Sequence, residues 1–143
     1  MLASKFGHDK CVSLLLQCSA DPNIPGKDNM TPFCLASLNG HDKCVSLLLQ
    51  CSADPNIPGK DNFTSLFLAS QNGHDKCVSL LIKNGADVNN KDKDNYFSLS
   101  IASECGHDNC VLLLLHAETF LDGEAATVPE LEVIVIRYNI YSN

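Results

Sequence analysis

Histidine and cysteine three residues apart are the pairing in this chain whose types and spacing suit chemistry. The pair stands in His8-Asp9-Lys10-Cys11, His41-Asp42-Lys43-Cys44 and His74-Asp75-Lys76-Cys77, with His107-Asp108-Asn109-Cys110 as a variant. Residues three apart share a helix face, so each pair offers two ligands to one metal ion. A zinc site needs four, at about 2.0–2.3 Å, and the next pair lies 33 residues away. A cysteine nucleophile with a histidine base needs hydrogen-bond reach and surroundings that stabilise a thiolate. Near-copies of one pair argue against that role, because a repeat copies scaffold whereas an active site is normally single. The acids form no isolated pair suited to acid–base work. Gly26 and Gly59 stand alone beside prolines, so no phosphate-cradling loop is present. The expectation is a chain that is not an enzyme, with no metal site and no cofactor.

The recurrence itself points to the elements that carry these residues. Gly7, Gly40, Gly73 and Gly106 each open a Gly-His-Asp step, spaced by 33 residues. An apolar run follows each one: Val12–Leu16, Val45–Leu49, Val78–Ile82 and Val111–Leu115. A fixed period of this size marks stacked supersecondary units, each burying its apolar face on its neighbours. Thr31-Pro32 opens a first helix, with Thr as N-cap and Pro at the first helical position. Gly40 supplies the left-handed residue that ends it. Asp42 then sets a carboxylate against the dipole of a second helix, over about Lys43 to Gln50. The run Ala53-Asp54-Pro55-Asn56-Ile57-Pro58-Gly59-Lys60-Asp61-Asn62 is rich in turn formers and suits an extended finger with a tight turn.

Residues 1–116 divide into a truncated unit (1–29), two full units (30–62 and 63–95) and a fourth from 96 to 116 onward. Leu2-Ala3-Ser4 matches Leu35-Ala36-Ser37, so the chain starts inside a helix, and residues 8–29 are identical to 41–62. That duplication is expected of a fragment of a longer protein. The period fails after His116. Residues 117–143, with the run Val133-Ile134-Val135-Ile136, are expected to be a degenerate C-terminal cap or a disordered tail.

The formal charge is −7. Residues 1–116 carry nine lysines against twelve acids, and 117–143 one arginine against five acids. Neither part offers a basic stripe, which argues against nucleic acid. The longest apolar runs are too short to span a bilayer, so no membrane insertion is expected. Four of the eight cysteines share one repeat position. Equivalent positions in stacked helices lie about 10 Å apart, beyond disulfide reach. Reduced, buried thiols follow, and with them an intracellular, cytoplasmic or nuclear setting.

Thr31-Pro32-Phe33-Cys34-Leu35-Ala36, the Gly-His step, the leucine triplets and Gly85-Ala86-Asp87-Val88-Asn89 together resemble the ankyrin repeat over residues 1–116. The resemblance implies an all-α repeat solenoid of stacked helix-turn-helix units with projecting β-hairpin fingers. It implies a protein-protein interaction module that binds a protein partner on a concave groove. The partner-contacting positions it implies are Met30, Phe63 and Tyr96, just before each first helix. To these it adds the finger charges Lys60, Asp61, Lys93 and Asp94, and Leu38, Gln71 and Asn72 after the first helices. A structural spacer within a larger protein is the alternative. The chain is expected to be monomeric or part of a longer one. Asp87-Val88-Asn89, with Leu81 eight residues earlier, also resembles segments modified by an asparaginyl hydroxylase. The simpler expectation is that Asn89 bonds its own turn.

The departures from the family pattern carry expectations of their own. Cys34, Phe67 and Ser100 replace its motif histidine. Ser19 and Ser52 stand where Gly85 keeps a helix-ending glycine, and a serine there is strained in the left-handed region. Asn29, Asn62 and Asn95 take the finger-tip glycine position, which asparagine tolerates. Phe97 replaces the N-cap threonine and leaves the fourth unit the weakest.

Overall fold

Each complete unit begins at a residue in the extended region. Thr31 and Thr64 lie at φ −79° and −81°, and their hydroxyls accept the N–H of Cys34 and Phe67 at 3.1 and 3.3 Å. Both satisfy an orphan donor of the first helical turn. Phe97 takes the same backbone conformation but caps nothing with its side chain. The computed structural model describes residues 1–121, the last four by backbone alone.

Eight helices follow one another among the described residues: α1 (Leu2–Lys5), α2 (Asp9–Gln17), α3 (Pro32–Leu38), α4 (Asp42–Gln50), α5 (Ser65–Gln71), α6 (Asp75–Lys83), α7 (Ser98–Glu104) and α8 (Asp108–Leu121). The odd-numbered helices pack on one another in one row and the even-numbered in a second. Each antiparallel pair turns at Gly7, Gly40, Gly73 or Gly106, all near φ +70°. The core runs between the rows as a repeated set: Phe33, Ala36, Val45 and Leu48, then Leu66, Ala69, Val78 and Leu81, then Leu99, Ala102, Val111 and Leu114. Each unit therefore has a leading face, toward the unit before it, and a trailing face, toward the unit after. The chain is an all-α repeat solenoid.

The fingers differ from strand hairpins. They are tight turns, and the described residues hold one isolated antiparallel bridge, Lys91–Phe97, in place of strand ladders. In the first two fingers Asp28 and Asn29 lie at φ 56° and 57°, and Asp61 and Asn62 at 56° and 63°. Two successive left-handed residues make the mirror-image turn that suits a hairpin. Gly26 and Gly59 donate to the Met30 and Phe63 carbonyls at 2.9 Å to close it. In the third finger Asp92 replaces that glycine. Its carboxylate accepts the N–H groups of Asp94 and Tyr96 at 2.9 and 2.8 Å, and only Asn95 remains left-handed. The asparagines sit where the sequence places them, whereas strained Asp28 and Asp61 were not expected. Ser19 and Ser52 are left-handed as expected, at φ 62° and 59°.

Cysteine burial needs correction. Cys34, Cys44, Cys77 and Cys110 are buried, but Cys11, Cys18, Cys51 and Cys105 are exposed. Cys18, Cys51 and Cys105 stand at helix ends, where the chain turns out of the core, and Cys11 lies on the face of the first unit turned away from the second. All eight are free thiols. Helix α8 also runs five residues past His116, to Leu121. Those five residues open the cap or tail expected at 117–143, and the rest of it, 122–143, lies outside the described residues. No described helix is long and apolar enough to cross a membrane.

Candidate functional site

The Gly-His-Asp-Lys-Cys segments resolve into inter-unit joints. His41 Nε2–H donates to the Lys5 carbonyl at 3.0 Å, His74 to Leu38 at 3.1 Å and His107 to Gln71 at 3.0 Å. A carbonyl only accepts, so each Nε2 carries the proton. Each ring also lies flat against the turn glycine of the unit before. A Cβ on Gly7, Gly40 or Gly73 would stand 2.6 Å from the Nδ1 of His41, His74 or His107. Glycine is thus required twice over, for its positive φ and for this close approach. Cys44, Cys77 and Cys110 of these three joints turn into the core, whereas Cys11 of the first segment is exposed. Burial, then the Asp9 and Asp42 carboxylates, raises the Cys44 thiol. Burial first, then neighbouring acids, pushes Cys77 up to about 12 and Cys110 up to about 11. These thiols stay protonated at neutral pH, the opposite of an activated nucleophile. No group of three or more His, Cys, Asp or Glu among the described residues is placed to hold a metal ion.

Met30, Phe63 and Tyr96 occupy equivalent places, at the junction of each finger with the following helix. They are not equally presented. Met30 is half-buried, its sulfur 2.7 Å from where a Cβ on Gly59 would lie, so it rests across the next finger. Phe63 is half-buried and stacks on Phe67, with centroids 4.8 Å apart. Tyr96 is 39% exposed. The finger charges are also unequal. Lys93 Nζ pairs with Asp61 Oδ1 at 3.3 Å, and the Lys93 N–H donates to the Asp61 carbonyl at 3.0 Å. Lys60 and Asp94 are exposed. Side-chain amides from Asn29 to Pro58 O and from Asn62 to Lys91 O tie finger to finger.

The positions after the first helices are largely occupied by scaffold duties. Leu38 and Gln71 are half-buried, and their carbonyls receive the histidines of the next unit. Asn72 is exposed, but its amide donates to Leu68 O at 2.8 Å. Asn56 accepts from the Asp87 N–H at 2.8 Å and donates to Gly85 O at 3.1 Å, linking successive loops. Asn89, its equivalent one unit later, is exposed, and its N–H donates to Asp87 Oδ1 at 2.9 Å.

Sequence reasoning missed a second surface. Leu2, Phe6, Leu14, Leu15 and Ile24 are 71, 58, 61, 50 and 60% exposed, all on the first unit. Their signal was available: residues 8–29 carry the same side chains as 41–62, whose corresponding face is covered by α1 and α2.

A family model described as ankyrin repeats, in three copies, matches residues 1–92 and 58–123. No curated protein matches the chain.

Proposed function

Since the chain belongs to the ankyrin-repeat family, whose members are generally protein-protein interaction modules, we propose that it is a non-catalytic module holding a protein partner across its finger-to-helix junctions. Tyr96 anchors that contact, with Phe63 and Met30 extending it and Lys60, Asp61, Lys93 and Asp94 as a charged rim. Leu38, Gln71 and Asn72 flank it in a groove. The observation that carries this reading is the row of amphipathic or apolar residues at one repeat position, ending in an exposed tyrosine. Tyr and Met are enriched at interfaces, and Tyr provides a rigid anchor with a polar tip. An intracellular setting, in cytoplasm or nucleus, fits eight free thiols.

A structural spacer is the second reading. The identity of 8–29 with 41–62 favours it, because a diversified binding surface varies from unit to unit.

The two separate on a pull-down or proximity-labelling comparison of the wild-type chain with Tyr96→Ala and with Phe63→Ala/Tyr96→Ala. Binding predicts that a protein captured by the wild type is lost at least about tenfold in the variants, with helicity by circular dichroism unchanged. Capture unaffected by either variant favours the spacer. Unfolding of the double variant alone assigns the Phe63–Phe67 stack to structure and leaves Tyr96→Ala to decide.

A further inference from the structure

The joints between units are not built alike. Each keeps its histidine, with His41, His74 and His107 donating to a carbonyl of the unit before. The joint of the second and third units adds a chain of two bonds. The Ser65 hydroxyl of α5 donates to Cys34 Sγ of α3 at 3.5 Å, and the Cys34 thiol donates to the Ile57 carbonyl at 3.8 Å. Buried Thr64 caps α5 beside it.

The joint of the third and fourth units has neither feature. Ser98 of α7 stands where Ser65 stands in α5, but Phe67 replaces Cys34 and its ring offers the hydroxyl no such acceptor. The Ser98 hydroxyl is buried and has no hydrogen-bond partner among the described residues. It has lost its hydration and found no replacement. Ser37 and Ser70 are also buried and unpaired, but they share one repeat position and set no joint apart. Phe97, half-buried, gives α7 no side-chain cap. Two cavities open at this joint. One of about 820 Å³ lies between Ile82 and Val88 of the third unit and Leu113 and Ala117 of the fourth. One of about 340 Å³ is lined by Gly73 of the third unit and by Gly106, His107 and Cys110 of the fourth. A cavity between the first and second units measures about 60 Å³. Side chains that line a cavity lack partners on one side, so they hold the two units together less.

The connecting stem, by contrast, is tied to the third finger. The Asp92 N–H donates to the Tyr96 carbonyl at 3.0 Å, and the Lys91 ammonium lies 4.7 Å from the centroid of the Phe97 ring.

We infer that the array opens at the joint of the third and fourth units: α7 and α8 part from α5 and α6 together, pivoting after Phe97, while the units before them stay stacked. Opening one joint of a stacked array takes less free energy than unfolding the whole. Tyr96 stays with the third finger, so the opening leaves the partner-contacting row proposed above in place and does not rest on it.

The buried thiols report on the joints one by one. Cys110 lines the smaller cavity with Gly73 of the unit before. Cys44 and Cys77 lie near the Asp9 and Asp42 carboxylates of the units before them. Labelling of the full chain with N-ethylmaleimide at pH 8, resolved residue by residue by tandem mass spectrometry, times the exposure of each. Cys110 is expected to react at least about tenfold faster than Cys44 and Cys77. Its rate is expected to depend less on urea, because one open joint exposes less surface than the unfolded chain. Ser98→Ala removes the unpaired hydroxyl, and Phe97→Thr restores a cap. Each is expected to slow Cys110 several-fold and leave Cys77 unchanged, and either decides if the other misfolds. Both changes lie in α7 and the reporter in α8, so the slowing also tests whether the two helices move together. Three outcomes overturn the inference. One is a single rate for the three thiols, the mark of one cooperative unfolding. Another is Cys44 or Cys77 reacting first. The third is a Cys110 rate that neither variant alters.

Discussion

Residues 8–29 and 41–62 have one sequence and two surroundings. Their backbones agree closely: Ser19 and Ser52 lie at φ 62° and 59°, and Asp28 and Asp61 both at 56°. Helices α2 and α4 cover the same nine residues, DKCVSLLLQ. Burial does not agree. Leu15 is 50% exposed and Leu48 2%, while Cys11 is exposed and Cys44 1%. Local structure thus follows from the local sequence, and burial follows from the neighbour. In a stacked array the stability of a unit is its own contribution plus the interfaces on either side. The twin segments separate those two terms without changing a residue.

The largest contrast is expected at the paired leucines. Leu48→Ala empties a fully buried site between α3, α4 and their neighbours, and costs about 2–5 kcal/mol. Leu15→Ala removes the same atoms from a half-exposed site and costs under about 1 kcal/mol. Urea unfolding of both variants measures the difference. Equal losses would mean that Leu15 is covered in solution.

The paired thiols sharpen the same contrast by reactivity. Iodoacetamide at pH 8 is expected to modify Cys11 in the folded chain, together with Cys18, Cys51 and Cys105. Cys34, Cys44, Cys77 and Cys110 are expected to react only through unfolding, as peptide mass spectrometry would show. The raised thiols also set a pH dependence. Their folded values lie above the unfolded ones, so their contribution is whole below about pH 9 and is lost as pH rises toward 11 and 12 for Cys110 and Cys77. The urea midpoint should fall above pH 9, and fall less in Cys77→Val. An equal fall in that variant would assign the alkaline loss to other groups.

How much of this was legible follows from what repeats and what does not. The period of 33 residues revealed the helix pairs and the ankyrin pattern, and threonine capping at Thr31 and Thr64 was readable because the cap is local. The role of the Gly-His step was only half readable. Its helix-turn geometry is local, but the acceptor of each histidine lies 36 residues earlier, and that pairing depends on how units stack. The tight turn of each finger was legible from its turn formers, but the left-handed Asp28 and Asp61 were not: Gly26 and Gly59 stand where Asp92 ties the third finger with its carboxylate. The graded exposure of Met30, Phe63 and Tyr96 was invisible too, because Met30 rests on Gly59 of the next finger and Phe63 stacks on the Phe67 ring, contacts that the repeat pattern does not encode.

The smallest expected effect examines the term the twins share. Ser19 and Ser52 each occupy the left-handed residue after a helix, and the next N–H, of Ala20 or Ala53, reaches back five residues to Leu15 or Leu48 at 3.0 or 3.1 Å. This is the helix end that glycine favours, and Gly85 provides it in the third unit at φ +83°. A non-glycine residue there costs about 1–2 kcal/mol, part of which glycine returns as chain entropy on folding. Ser52→Gly is therefore expected to raise stability by about 1 kcal/mol, read as a higher urea midpoint and melting temperature. An unchanged or lower value would show that the serine carries no strain. Ser19→Gly relieves the same angle, so its full gain appears only if the first unit unfolds together with the rest. A smaller gain at Ser19 than at Ser52 would mean that the first unit frays ahead of the rest of the array.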